Sequence, residues 1–209
     1  MPQVARSPRK EQVRSLETRR RLLDATIGCL AETGYAGLTT AGVAKRAGLS
    51  RGAQLHHFPT KQALVRAAIE SLDRRRAAEF QSRVESLPGS EDLIGAAVET
   101  LWHVALGPLA YAELALLTGA RTDPELCAVL APYVERRRAF AREALRPALG
   151  AVVDHADFEA LVSTVFDTLR GVATIRTLGN RSQLEKRQLE LLKRFVREML
   201  AELARATPP

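Results

Sequence analysis

Cysteine is scarce in this chain, and the two that exist, Cys29 and Cys127, lie far apart with no CxxC partner. That excludes a zinc-ribbon or disulfide framework and reads as two buried thiols in a reducing compartment. Aromatic residues make up only 5% of the chain, with a single tryptophan. Runs of β-branched residues alternating with polar ones are also missing, so a sheet has little to be built from. No apolar stretch reaches membrane-spanning length free of charge. Met1 to Ser15 is polar and lacks the apolar core of a secretory leader, which leads us to expect a cytoplasmic protein with no membrane partner. Internal repeats and low-complexity segments are absent as well. Nor is there a nucleophile elbow: Asp154, His155 and Ser163 have nothing in the sequence to fix their geometry. His56 and His57 are adjacent and project to different sides of a helix, a poor metal pair. We therefore expect no enzyme, no metal and no cofactor.

What the chain does have is helix-forming residues and a lopsided charge. Hydrophobic residues make up 46% of 209 residues, enough for a substantial core, and Ala, Leu, Arg and Glu dominate. An all-α fold is the expectation. The formal charge of +7 resides entirely in residues 1–61, where eleven basic side chains face four acidic ones. In residues 62–209 twenty of each sign cancel. A phosphate-binding module joined to a neutral module has this asymmetry, as does a basic disordered tail.

Hydrophobic periodicity and capping signals divide the chain into helices. Residues 1–14, with Pro2 and Pro8, read as a disordered basic arm. A helix is expected over Leu16 to Thr33, ended by Gly34, with Arg19, Arg20 and Arg21 placed either along a phosphate backbone or on a solvated face. A long helix follows from Lys61 to about Ser86, closed by Pro88-Gly89. Ser90, Asp123-Pro124, Asp154 or Asp157, and Ser182 are expected to start later helices, and Pro132 to kink or split the one that contains it. Gly107-Pro108, Gly119, Gly150 and Gly179-Asn180 are expected stops, and Thr207-Pro208-Pro209 frays.

The most informative stretch is TTAGVAKRAGLSRGAQLHHFPTK, Thr39 to Lys61. Thr39 or Thr40 can N-cap a short helix whose Val43, Ala44 and Ala47 form a small apolar face. Gly48 follows where a helix C-terminus requires positive φ. Leu49 can plug the corner, Ser50 can cap a second helix from Arg51 to His57, and Phe58-Pro59 stops it. Two helices joined by a short glycine-containing turn place the second helix in the major groove of DNA.

Extended over Thr18 to Ala67, the order Gly34-Tyr35, Leu38-Thr39-Thr40, Val43-Ala44, Ala47-Gly48-Leu49-Ser50, Gly52-Ala53, His57-Phe58 and Lys61 resembles the TetR family of transcriptional regulators. The resemblance implies a homodimer of about nine helices per chain: a DNA-binding head, a larger domain whose core takes a small molecule that releases DNA, and a four-helix dimer interface. In this chain the head would span residues 15–60, and the effector-binding and dimerisation domain residues 61–205. By matching position, Thr39 or Thr40 and Lys61 would contact phosphates, while Arg51, Gly52, Leu55 and His56 would face the groove, with Arg51 suited to guanine. Arg19, Ser50 and His57 complete the expected DNA-binding set. The family usually has an apolar residue at Gln54 and a tyrosine at Leu55. Gln54 either reads adenine or caps a buried carbonyl, and Leu55 can touch a thymine methyl but cannot bind a phosphate. An operator-binding repressor released by a ligand is the leading reading; a helical sensing protein without sequence-specific DNA binding is the alternative.

In the second half, Trp102, His103, Tyr111, Phe140 and Phe166 are candidate lining residues of a ligand cavity. Glu113, Asp167 and Arg170 interrupt apolar helices and either pair, hold a polar ligand group or, as expected for each singly, face solvent. Arg136, Arg137 and Arg138 spread around a helix and read as solvated, with ion pairing between subunits as the alternative. Phe158, Val162, Val165, Gly171, Leu191, Phe195 and Met199 are assigned to the dimer interface. There Gly171, which costs a helix about 1 kcal/mol relative to alanine, would permit close approach.

Overall fold

Helix propensity alone carries the start of the chain. The computed structural model describes residues 8–85, 92–179 and 182–206, and its first helix, α1, runs Pro8–Gly37 rather than from Leu16. Pro8 suits a first helical turn, and Arg, Lys, Glu and Gln are good helix formers. The added turns need no core, since Val13 and Leu16 are both exposed. The expected disorder of the arm is thus corrected for residues 8–14. At the other end the helical path breaks at Gly34, whose φ of 70° lies in the left-handed region.

Two short helices follow, α2 at Thr40–Arg46 and α3 at Arg51–His57, and then the long α4, Lys61–Glu85. The remaining helices are α5 (Leu93–Ala105), α6 (Pro108–Ala120), α7 (Pro124–Leu149), α8 (Ala156–Arg176) and α9 (Ser182–Ala206), with a 3-10 turn at Gly150–Asp154 before α8. These make nine α-helices among the described residues, with no strand. Asp123 caps α7 by accepting a hydrogen bond from the Leu126 N–H at 2.9 Å, with Pro124 at the first helical position. Pro132 does not split α7. Pro132 and Ala128, whose carbonyl it deprives of a donor, both face solvent, where water can hydrate that oxygen. His155, not Asp154 or Asp157, caps α8, and α8 ends at Arg176, short of Gly179. The expected signals at Pro88-Gly89 and Ser90, and the frayed end Thr207-Pro208-Pro209, lie outside the described residues.

Two hydrophobic cores result. The first joins α1, α2 and α4 to α6 and α7 through Leu22, Leu30, Val43, Leu64, Leu116 and Tyr133, with α1 packed along α6. The second joins α5, α8 and α9 through Val98, Trp102, Phe158, Leu169 and Val196. Helices α5 and α6 meet at 70°, so the chain turns from one core to the other across Gly107. No single described helix is long and apolar enough to cross a membrane. Cys29 is half-buried and Cys127 exposed, both as free thiols, which corrects the expectation that both would be buried.

Candidate nucleic-acid interface and apolar cavity

Local capping builds the exposed face of α2 and α3. The Thr39 hydroxyl accepts the Gly42 N–H at 3.0 Å and the Ser50 hydroxyl accepts the Ala53 N–H at 3.1 Å, so each helix starts at a satisfied cap. Gly48 takes φ 62° in the turn between them. Arg21 donates to the Ala47 and Gly48 carbonyls, fixing the end of α2 to α1. Along α3 the residues Arg51, Gly52, Leu55 and His56 are exposed together, and Leu55 keeps 43% of its surface in solvent. Thr39 is also exposed and Thr40 half-buried.

Gln54 is withdrawn from this face. It is fully buried, and its Nε2 donates to the Phe58 carbonyl at 2.6 Å. The expectation that it might read adenine is therefore corrected in favour of the buried-carbonyl cap. The physical reason is phase: in a seven-residue helix whose outer face carries residues 51, 52, 55 and 56, position 54 must turn inward. His57 is half-buried and sits edge-on to His56, with ring centroids 5.3 Å apart. Burial, then the neighbouring His56 and Arg19, hold its imidazole below the ordinary histidine value.

Two of the expected phosphate ligands are also structural clamps. Arg19 lies 4.7 Å from the centroid of the buried Phe58 ring. Lys61 lies over the Tyr35 ring at 4.4 Å and donates to the Tyr35 carbonyl at 3.3 Å. Both remain half-exposed. Arg20 is paired with Glu17 and Asp24 on the surface of α1.

Behind this face, two adjoining apolar chambers of about 380 and 480 Å³ share the walls Phe80, Leu101 and Phe166. The first also meets Phe140, which packs edge-on against Phe80 with centroids 5.9 Å apart. Phe140 and Phe166 thus line the cavity. Trp102, His103 and Tyr111 do not. Trp102 packs into the second core, the His103 side chain is 57% exposed beside Glu99, and Tyr111 lines neither chamber. Adjacent residues on α5 point to different sides, so Leu101 reaches the cavity and its neighbours do not.

Phe158, Val162 and Val165, expected at the dimer interface, line the second chamber. An apolar stripe on α8 is wide enough to serve either side, and here the inward side takes these three. Gly171 is exposed with open space around it, and Leu191 and Phe195 are exposed at 60% and 39%. Met199 is half-buried against the second core.

A buried ionic cluster closes one end of the first chamber. Glu113, 3% exposed, accepts from Arg137, lies 3.2 Å from Arg76 Nε and 3.5 Å from Arg170 Nη2. Arg137 also stacks over Phe166 at 4.4 Å. Glu113 and Arg137 were expected to face solvent, and both are corrected: each finds its counter-charge on another helix, which makes burial tolerable. Burial raises the Glu113 pKa, but Arg137, Arg76 and Arg170 outweigh it and hold the carboxyl below its ordinary value. Beside them, burial and Glu113 push the Tyr133 hydroxyl up to about 12. Pairing among Glu113, Asp167 and Arg170 is one reading of the sequence, but the part played by Arg76 and Arg137, and by Phe80 and Leu101 as walls, depends on where the helices cross.

Comparison with known proteins points the same way as the geometry. The family model described as "Bacterial regulatory proteins, tetR family" matches residues 22–68. Over 198 residues the chain is 32% identical to the HTH-type transcriptional regulator CymR of Pseudomonas putida, spanning 93% of this chain and 94% of that protein. Among solved structures, Salmonella enterica GusR aligns with a TM-score of 0.67 at 25% identity, over 90% of this chain and 95% of that one. A member of the TetR family from Streptomyces coelicolor A3 aligns with a TM-score of 0.61 at 25% identity, over 90% and 98% of the two chains. With its capped α2–α3 pair presenting one exposed face and relatives of this kind across nearly its whole length, the chain belongs to the TetR family of bacterial regulatory proteins and is a DNA-binding transcriptional regulator.

Proposed function

We propose that this regulator is a repressor that binds a palindromic operator as a homodimer and is released when a small molecule enters the paired apolar chambers. The observation that carries the reading is the placement of α4. It starts three residues after α3 and walls the first chamber with Arg76, Ala77 and Phe80. One rigid helix therefore connects the groove-facing residues to the cavity. A ligand that fits the chambers better in one setting of α4 shifts the protein towards that setting, by as much as its affinity differs between the two. In the other setting the two α3 helices of a dimer no longer match successive major grooves.

In this reading Arg51 makes the principal base contact, Leu55 touches a thymine methyl, and Gly52 lets the α3 backbone approach the DNA. His56 faces the groove beside them, and Thr39, Thr40, Ser50, His57, Arg19 and Lys61 position the head on phosphates. The outward residues Gly171, Leu191 and Phe195 meet a second copy. The test is operator binding by fluorescence anisotropy, using DNA that flanks the protein's own coding region. Arg51→Ala is expected to cost about 1–3 kcal/mol and relax the preference for one base pair. Unchanged affinity and unchanged preference would remove Arg51 from the interface. Affinity should also fall steeply from low to moderate salt, because the basic head releases counterions from DNA.

A further inference from the structure

The chambers are apolar along most of their length, and their charged groups are gathered at the two ends. At the far end of the second chamber Asp92 and Arg197 pair with each other. At the mouth of the first, Asp73 pairs with Arg136 at 3.3 Å and the exposed Arg74 lies beside them. Deeper in, the balance fails. Arg76, Arg137 and Arg170 converge on the single buried carboxylate of Glu113, and the only further acid among the described neighbours is the exposed Asp167, 2.6 Å from Arg170. One positive charge is left over. Two guanidinium nitrogens of the cluster, Arg76 Nη1 and Arg170 Nε, are buried with no hydrogen-bond partner, and of these two arginines Arg76, its side chain 8% exposed, is the one that lines the first chamber.

An arginine cannot relieve this by giving up its proton. A buried, half-satisfied guanidinium is costly to keep, and the remedy that suits its planar fork is a carboxylate. We infer that the effector is an organic anion with one carboxylate on an apolar body. The carboxylate is held by Arg76 beside Arg137, and the body passes Phe80, Leu101 and Phe166 into the second chamber. A phosphate ester fits less well: it would bring a second charge that the buried cluster does not balance, and the further arginines of the first chamber, Arg74 and Arg136, are exposed. Arg137 is pre-oriented by its stacking on Phe166, so the aromatic wall that meets the body also fixes the cation that meets the carboxylate. The inference rests on the chambers being the effector site, and the experiment separates the two.

The neutral dye Nile red reports occupancy of the chambers in the full-length protein. Decanoate is compared with decanamide, and 1-naphthoate with 1-naphthamide, as competitors for the dye. For at least one pair the acid is expected to displace the dye at concentrations about ten-fold lower than the amide, the value of one charge-assisted hydrogen bond. Arg76→Met should abolish that preference, each competitor being read against the dye affinity of the variant itself. Arg76→Lys, which keeps the charge and loses the fork, should reduce it, and serves alone if the methionine variant does not fold. Equal displacement by acid and amide, no displacement by either, or an acid preference unchanged in both variants would overturn the carboxylate assignment and leave the chambers standing as a site for neutral effectors. Failure of Nile red to bind the wild-type protein would overturn the effector-site reading, and the inference with it.

Discussion

Gln54 and Leu55 are neighbours on α3 with opposite surroundings, one fully buried and one nearly half in solvent. Gln54→Ala removes the amide that satisfies the Phe58 carbonyl and leaves a small void, so we expect a loss of about 1–3 kcal/mol, read as a lower melting temperature, with operator preference preserved. Leu55→Ala should do the reverse, changing stability by about 0.5 kcal/mol or less while altering the preferred base pair. His57 introduces a pH dependence. Burial, His56 and Arg19 hold its pKa below the ordinary histidine value of about 6.5, so the unfolded chain takes up the proton first as pH falls. Stability is therefore full above about pH 6.5 and is lost as pH drops through the lower folded value. His57→Gln should show a smaller fall in melting temperature than wild type between about pH 7.5 and 5.5; equal falls would remove His57 as the source.

The joint between the DNA-facing helices and the rest of the chain is made at the end of α1. Tyr35 lies against Gly119 of α6 so closely that a Cβ at residue 119 would sit 2.8 Å from the ring. The Tyr35 hydroxyl donates to Asp123 at 2.8 Å, the same carboxylate that caps α7, and its carbonyl receives Lys61 from the start of α4. Four helix ends thus meet around one aromatic side chain. Gly119→Leu is expected to cost about 1–3 kcal/mol through overpacking and to shift the effector concentration needed for half-release, both measurable on the purified protein. Capping explains which elements the sequence exposed to view. Thr39, Gly48 and Ser50 act on groups within a few residues of themselves, so α2 and α3 were legible to within a residue. The start of α1 was not, because residues 8–14 form a helix from propensity without an apolar stripe to announce it. Cavity and interface residues were legible only in part. Periodicity on α8 marks a face as buried without saying whether cavity or partner covers it, which is why the chamber walls Phe158, Val162 and Val165 could not be told from interface residues in the sequence.

At the scale of the whole molecule, the exposed large hydrophobics concentrate on the two last helices and the turn between them. Ile175, Leu178, Leu184, Leu191 and Phe195 are all more than a third in solvent, and Leu178 reaches 81%. A cluster of this kind calls for a covering surface, and the proposed homodimer would supply it. Leu191→Asp combined with Phe195→Asp should convert the protein to a monomer by light scattering and weaken binding to a full palindrome far more than to a half-site; a dimer that survives both changes would place the interface elsewhere. The fold also constrains how such regulators can be recombined. A chimera cut at Thr60, giving this chain's operator preference to another effector domain, would carry Tyr35 but leave Gly119 and Asp123 behind. If the recipient has a larger residue in place of Gly119, the transplanted tyrosine has nowhere to lie. Exchange of specificity between relatives is therefore governed by a glycine that touches neither DNA nor ligand.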